Sequence, residues 1–276
     1  MSGTLILCGT PIGNLSDLSE RAISTISNAD LIFAEDTRRT AKLLAHLGVS
    51  VPMKSFFSGN EQSRLDLLRD ELDAGKVVVL VSDAGMPIVS DPGASAVQVA
   101  IERGVTVGVI PGPSAVVTAL AVSGFDGDRF VFEGFLPRKG AARMQVLQSL
   151  ADEQRTVVLF AAPSRVAADL AELATTCGTA RRVVVTRELT KVYEEVWRGA
   201  LGEAAEHWGN DGTTKGEFTL VIEGAEMPVP SMVDAVAAAL EMISRGSSTS
   251  DAVKRVTATH GVRRNELYES VVKARS

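Results

Sequence analysis

The sequence predicts an α/β protein with an amino-terminal parallel-sheet domain, a second half of mixed-sheet α+β character and a small helical extension. Three observations carry this. Short apolar runs alternate with amphipathic segments as far as residue 123, the rhythm then changes to closely spaced strand-like runs, and Pro228 and Pro230 precede three helical segments. The first pattern is the grammar of βαβ units, which build a parallel sheet. The boundaries that follow are 1–123, 128–226 and 231–276.

Runs 4–8, 30–34, 77–81 and 106–110 are rich in Leu, Ile and Val and apolar nearly throughout. Continuous apolar runs of this length fit strands covered on both faces. Between them, 17–28, 37–47, 61–75 and 94–104 read as amphipathic helices. Ser16 and Asp17 offer the first an N-cap, and Gly48, Gly75 and Gly104 act as C-terminal stops. The linker-like stretch 123–128 leads to strand candidates at 130–133, 156–160, 182–186, 192–198 and 217–223, with helices at 141–150 and 166–177. The last three strands lie too close together for helical crossovers, so hairpins are expected. The Met227-Pro228-Val229-Pro230 segment suits an extended linker. Helices at 232–244, 250–259 and 264–274 follow, the last two resembling a helix-turn-helix unit.

Composition narrows the function. The chain has 276 residues, 45% hydrophobic and 22% charged, a globular balance. Its two cysteines, Cys8 and Cys177, cannot form a disulfide framework, so a reducing, cytoplasmic setting is expected. MSGTLILCGTPIG has no basic n-region and its apolar run soon stops, so no signal peptide is expected. No apolar stretch approaches the roughly 20 residues of a membrane span. The net charge is -6, so any nucleic-acid partner must be held by local basic patches. From Val229 onward seven Lys/Arg face five Asp/Glu, leaving a tail of +2 and a body of -8.

Ligands in an open α/β sheet bind beyond the carboxyl ends of its strands. Three predicted strand ends carry loops that combine Gly and Pro: Gly9-Thr10-Pro11-Ile12-Gly13-Asn14, the segment from Ser82 to Gly93, and Ile110-Pro111-Gly112-Pro113-Ser114-Ala115. Glycine lets backbone approach a ligand and proline fixes the loop shape. The first loop lacks the G-x-G-x-x-G spacing and no G-x-x-x-x-G-K-[ST] occurs, so neither a nicotinamide nor a nucleoside-triphosphate site is indicated. His46, His207 and His260 are scattered, with no Cys or His at ligand spacing, and Ser114 is not in a G-x-S-x-G elbow. A metal site and a hydrolytic triad are therefore not expected.

These loops, with Ala34-Glu35-Asp36-Thr37-Arg38, Thr186-Arg187-Glu188-Leu189-Thr190-Lys191 and Lys215-Gly216-Glu217, resemble one family. It is the ribosomal RNA small subunit methyltransferase I family of the tetrapyrrole (corrin/porphyrin) methylase superfamily. The resemblance runs from about Leu5 to Gly224, and the carboxyl-terminal helices resemble the extension many members carry. Met86 stands where the family pattern has Thr, so contact there is expected to be apolar or through backbone.

The resemblance implies a tetrapyrrole-methylase-like two-domain fold and a homodimer. It implies S-adenosylmethionine as methyl donor, with the 2′-hydroxyl of a decoding-centre cytidine in 16S rRNA of the small ribosomal subunit as acceptor. No metal or covalent intermediate is implied. The cofactor would lie on Asp83, Ala84, Gly85, Met86, Ile88, Ser114 and Ala115, near Pro11, with Phe160, Lys215 and Gly216 closing the other side. The acceptor hydroxyl must lose its proton, which a carboxylate could accept and a nearby cation ease. Two charged clusters, one holding Asp36 and Arg38 and the other Glu188 and Lys191, are the catalytic candidates, with base and clamp unassigned; charges at such places are also ordinary caps and solvated surface. Basic groups for RNA are Arg38, Arg39 and Lys42; Arg138, Lys139 and Arg143; and Arg263 and Arg264. With aromatics at 5%, shape and phosphate contacts should dominate over base stacking. Two rivals are a small-molecule tetrapyrrole methylase of the same superfamily and a ligand-sensing helix-turn-helix regulator.

Overall fold

The computed structural model describes residues 3–210, 214–226 and 231–275, and the expected 227–230 linker lies outside them. The amino-terminal elements are β1 (Thr4–Cys8), α1 (Glu20–Ser27), β2 (Leu31–Ala34), α2 (Thr37–Leu47), β3 (Met53–Ser55), α3 (Glu61–Asp73), β4 (Val77–Val81), α4 (Ala94–Glu102), β5 (Thr106–Ile110) and α5 (Ala115–Ser123). The strands form one parallel sheet in the order β3-β2-β4-β1-β5. Alternate residues of β4 explain its unbroken apolar run. Val78 and Leu80 join a core with Phe33, Leu68, Leu72 and Ala100 on one face, while Val79 and Val81 join Ile26, Ile32 and Leu44 on the other. The β1 connection leads towards β2 and the β4 connection back towards β5, so the loops after β1 and β4 part between neighbouring strands. Such a switch point is where open sheets bind ligands.

The second half comprises β6 (Phe130–Phe135), α6 (Ala141–Ala151), β7 (Thr156–Ala161), α7 (Val166–Cys177), β8 (Arg182–Arg187), β9 (Glu195–Ala200), α8 (Leu201–Asn210) and β10 (Phe218–Ile222). Its sheet runs β6-β7-β10-β8-β9, with β6 and β7 parallel and the other pairs antiparallel. The expectation of hairpins among the last three strands holds only for β8 and β9. Helix α8 stands between β9 and β10, burying Leu201, Ala204 and Trp208, and carries the chain back so that β10 inserts between β7 and β8. The first-helix cap also differs from expectation. Residues 15–17 form a short 3-10 turn capped by Asn14, and Ser19 caps α1 by accepting from Ala22 N–H.

Residues 1–225 make one compact unit. Helix α5 fastens the two sheets within it: Val116, Ala119 and Leu120 pack with Val158, Val184 and Val221 of the second sheet and with Ile12 from the loop after β1. Residues 226–276 are a second unit, with α9 (Met232–Ser244), α10 (Thr249–His260) and α11 (Arg264–Arg275) around Ala235, Ala239, Val253, Val256 and Leu267. Among the described residues, no helix is long and apolar enough to cross a membrane.

Candidate active site

The three Gly/Pro loops meet at the carboxyl ends of β1, β4 and β5, tied together by backbone. Thr10 N–H donates to Gly85 O (2.9 Å), and Gly85 N–H returns a bond to Thr10 O (3.1 Å). The Thr10 hydroxyl donates to Ser82 O (3.2 Å) and the Ser82 hydroxyl to Gly85 O (3.2 Å). The loops after β1 and β5 touch so closely that a Cβ on Gly9 would lie 2.7 Å from the Cα of Gly112. At Gly85, φ is +83°, and a Cβ would meet Ile12 Cγ2 and Pro113 O at 3.3 Å. Glycine is the residue that accepts both the left-handed conformation and the close approach.

A cleft of about 360 Å³ opens beside this cradle, within the range of about 300–1,000 Å³ usual for small-molecule sites. Asp83, Ala84, Gly85, Met86, Ser114 and Ala115 line one side, and Phe160 and Gly216 the other, as the sequence suggested. Pro11, Ile88 and Lys215 do not line it. Pro11 borders a neighbouring groove of about 200 Å³ with Arg39 and Lys42, Ile88 is 38% exposed, and Lys215 is exposed. The sequence reading missed Glu35, Asp91, Phe135 and Glu217, all of which border the cleft.

Carboxylates gather at its amino-terminal side because β2 and β4 are neighbours. Asp83 Oδ1 accepts from Asp36 N–H (2.9 Å), Asp83 N–H donates to Glu35 Oε2 (3.3 Å), and Arg39 Nε lies 3.5 Å from Asp83 Oδ2. Burial pushes the Glu35 carboxyl above its ordinary value; the Asp83 N–H opposes this and the Asp83 charge adds to it. Asp91 is raised to about 7, first by burial and then by the Glu35 charge, against a hydrogen bond from Ser82.

The four catalytic candidates are all engaged in hydrogen bonds. Asp36 is the N-cap of α2 and accepts from Arg38 N–H (2.8 Å), Nε (3.0 Å) and Nη2 (2.7 Å). The Arg38 side chain, followed by its backbone N–H, holds the Asp36 carboxyl well below the carboxylate range, which suits a cap and not a base. The Arg38 side chain is 88% exposed. Lys191 Nζ donates to Glu188 Oε1 (2.7 Å) and Glu217 Oε2 (3.0 Å), and Glu217 N–H donates to Glu188 Oε1 (2.9 Å). A Cβ on Gly216 would lie 2.6 Å from Glu188 Cγ, so Glu188 and Lys191 clamp the Gly216 turn from behind. Burial opposes the Lys191 charge, but its two carboxylate partners prevail and raise it.

One RNA-contact expectation is overturned. The Arg143 side chain is 7% exposed, with Nη2 2.8 Å from Asp169 Oδ1, Nε 2.8 Å from Glu172 Oε2 and Nη1 donating to Pro137 O (3.0 Å). It is a buried structural cation. Arg138 and Lys139 beside it are exposed, as are Arg39 and Lys42. Arg264 is exposed on the second unit, and Arg263 there pairs with Glu266 at 3.2 Å.

Residues 4–205 match the family of Tetrapyrrole (Corrin/Porphyrin) Methylases. Among solved structures, uroporphyrin-III C-methyl transferase from Thermus thermophilus complexed with S-adenyl homocysteine shares the fold at a TM-score of 0.57 and 19% identity, over 79% of this chain and 96% of that one. Diphthine synthase shares it at 0.59 and 16% identity, over 80% and 90%. Sequence relatives are much nearer. Ribosomal RNA small subunit methyltransferase I from Mycobacterium tuberculosis (strain CDC 1551 / Oshkosh) is 44% identical over 99% of this chain and 96% of its own length. Its namesake from Synechocystis sp. is 43% identical over 97% and 96%. The namesake from Thermotoga maritima is 45% identical over 81% of this chain and all of its own length. With this identity sustained along nearly the whole chain, and with the fold to match, the chain belongs to the ribosomal RNA small subunit methyltransferase I family of tetrapyrrole methylases.

Proposed function

We propose that the chain transfers a methyl group from S-adenosylmethionine to the 2′-hydroxyl of a decoding-centre cytidine in 16S rRNA. The observation that carries this reading is the backbone cradle at the β1/β4 switch point, in a chain 44% identical to a named rRNA methyltransferase. The donor fits the residues present. Gly85 lines the cleft, and apolar walls from Met86, Phe135 and Phe160 stand beside the polar Asp83, Ser114 and Thr219. Asp83, Ala84, Gly85, Met86, Ser114 and Ala115 would hold it against Phe160 and Gly216. When bound, it supplies an electrophilic methyl group on a sulfonium.

The protein's part is placement, a contribution of about 7–11 kcal/mol when two reactants are well oriented. Loops tied by mutual backbone bonds offer fixed dipoles that need little reorganisation. The clamp of Glu188 and Lys191 holds the Gly216 turn that forms the far wall. Arg38, Arg39 and Lys42 beside the cleft, with Arg138 and Lys139, would take RNA phosphates, and Arg263 and Arg264 would add contacts from the helical unit. A ribosomal substrate goes with a cytoplasmic setting. A homodimer, as the family resemblance implies, could cover exposed apolar side chains such as Val109 and Val117, which are 55% and 56% exposed.

The test is methyl transfer from labelled donor to small ribosomal subunits, followed by mass spectrometry of the rRNA nucleosides. The reading predicts label in 2′-O-methylcytidine. Label in a porphyrinoid and none in rRNA would instead establish the small-molecule methylase.

A further inference from the structure

We propose that Tyr193, at the tip of the β8–β9 hairpin, is the platform on which an unpaired RNA base flanking the acceptor nucleotide stacks. The proposal deepens the methyl-transfer reading above and rests on it. Val192 and Tyr193 stand side by side in the turn between β8 and β9, 92% and 74% exposed. Among the described residues, Tyr193 makes no side-chain hydrogen bond and no ring contact. A ring held in solvent is available to a base, whose own apolar face also gains by leaving water.

The turn that presents this ring is held under strain. Glu188 has φ +52° and Thr190 φ +66°. A β-branched residue in left-handed backbone is an outlier, and such strain persists only where surrounding structure imposes it. That structure is a closed set of bonds. Glu188 N–H donates to Glu217 O (2.9 Å), Lys191 N–H to Glu188 O (3.0 Å) and Glu194 N–H to Lys191 O (3.1 Å). Thr190 N–H donates to Glu194 Oε2 (2.6 Å), and Leu189 is buried with Ile12, Val184 and Val221. The apolar pair is therefore carried on a fixed tip.

The tip stands where the cleft meets the basic groove. A Cβ on Gly13 would lie 2.7 Å from Thr190 Oγ1, and Gly13 lines the groove that holds Arg39 and Lys42. On the other side, Glu188 and Lys191 grip the Gly216 turn, which lines the cleft. A strand with its phosphates at Arg39 and Lys42 and its acceptor ribose in the cleft therefore passes the hairpin. The carboxylates of this region are already engaged: Glu188 and Glu217 with Lys191, Glu195 with Arg187, and Glu194 with Thr190 N–H. The tip thus offers the strand a ring and not a charge. Sequence-specific proteins take splayed RNA bases on aromatic rings in this way. A base that loses its neighbour when the acceptor nucleotide enters the cleft regains a stacking partner in Tyr193.

The experiment uses the full chain, labelled donor and small ribosomal subunits at increasing concentration in single turnover. One stacked base is worth a factor of about 5 to 150 in affinity. Tyr193→Ala should therefore need subunits at a concentration higher by that factor to reach half its maximal rate. Tyr193→Phe keeps the ring and should stay within about two-fold of wild type. S-adenosylhomocysteine affinity by calorimetry and the urea midpoint should be unchanged in both variants, because the side chain is exposed. Stacking releases no counterions, so the loss in Tyr193→Ala should be the same factor at every salt concentration, whereas Lys42→Ala should flatten the salt slope. A Tyr193→Ala protein that saturates at wild-type subunit concentrations would overturn the proposal and leave the methyl-transfer reading standing. So would a change in its sedimentation, which would assign the tip to an interface between two copies of the chain. A wild-type protein that moves no methyl group to rRNA would overturn both.

Discussion

Replacing Arg143 with Ala separates a structural cation from an RNA contact. The guanidinium is 7% exposed and Asp169, its nearest partner at 2.8 Å, is 5% exposed. Removing one member of a buried pair costs about 3–5 kcal/mol, because the other charge is left desolvated and unmatched. Here Arg165 Nη2 remains 3.2 Å from Asp169 Oδ1, so the cost should fall near the lower end, about 3 kcal/mol. Against a total stability of about 5–15 kcal/mol, the variant stays folded. Urea denaturation reads the loss directly, since Trp197 and Trp208 report on the core that also holds Leu147, Leu170 and Leu173. With m of about 1–3 kcal/mol/M, the midpoint should drop by about 1–3 M. The exposed neighbour, in Arg138→Ala, should move stability by less than about 0.5 kcal/mol. An Arg143→Ala protein with an unmoved midpoint and a weaker salt dependence of RNA binding would refute this reasoning.

Three further outcomes are expected. Gly85→Val should abolish S-adenosylhomocysteine binding by calorimetry while the protein stays folded, because left-handed backbone costs an L-residue about 1–2 kcal/mol and the new side chain would crowd Ile12 and Pro113 at the cleft; unchanged affinity would move the ligand elsewhere. RNA binding should weaken steeply with salt, and neutralising Arg39, Lys42, Arg138 or Lys139 should each flatten the slope by about 0.9 or less; a salt-independent affinity would remove the phosphate contacts. Stability should fall between about pH 4 and 7 on account of Asp91, whose folded value of about 7 lies above the unfolded one of about 3.9, so that the folded state binds more protons in that window. Asp91→Asn should remove this decline and, above pH 7, gain about 1–2 kcal/mol after allowance for solvent screening of a part-exposed group; a decline as steep in the variant would assign it to another group.

Much of this architecture is legible in the chain because the central strands are apolar on both faces. β1 and β4 emerge at the expected residues for that reason, and the edge strand β5 emerges at 106–110 although Val109 is exposed. Elements without a periodic signature escape. β3 has three residues, and α5 is apolar nearly all round, burying Val116, Ala119 and Leu120 against the second sheet while Val117 stays exposed. Helix α8 does carry a buried Leu201, Ala204 and Trp208 at helical spacing, but lies between strands read as a hairpin. The cradle was readable from Gly and Pro at strand ends, whereas the roles of the charges were not. Arg143 reads as part of a basic triplet until α6 and α7 place Asp169 against it, 26 residues on. Glu35 and Asp91 look like any carboxylates until the adjacency of β2 and β4 brings Glu35 to Asp83 across 48 residues, and burial sets their proton affinities.

The central claim is that the loops after β1, β4 and β5 hold the methyl donor, and a crystal structure of the protein soaked with S-adenosylhomocysteine tests it most directly. The account predicts density between the Gly85 loop and the Gly216 turn, in contact with Ser114 and Ala115. Ordered compound in the groove beside Pro11 and Lys42, or at another surface, with the cleft vacant would contradict it.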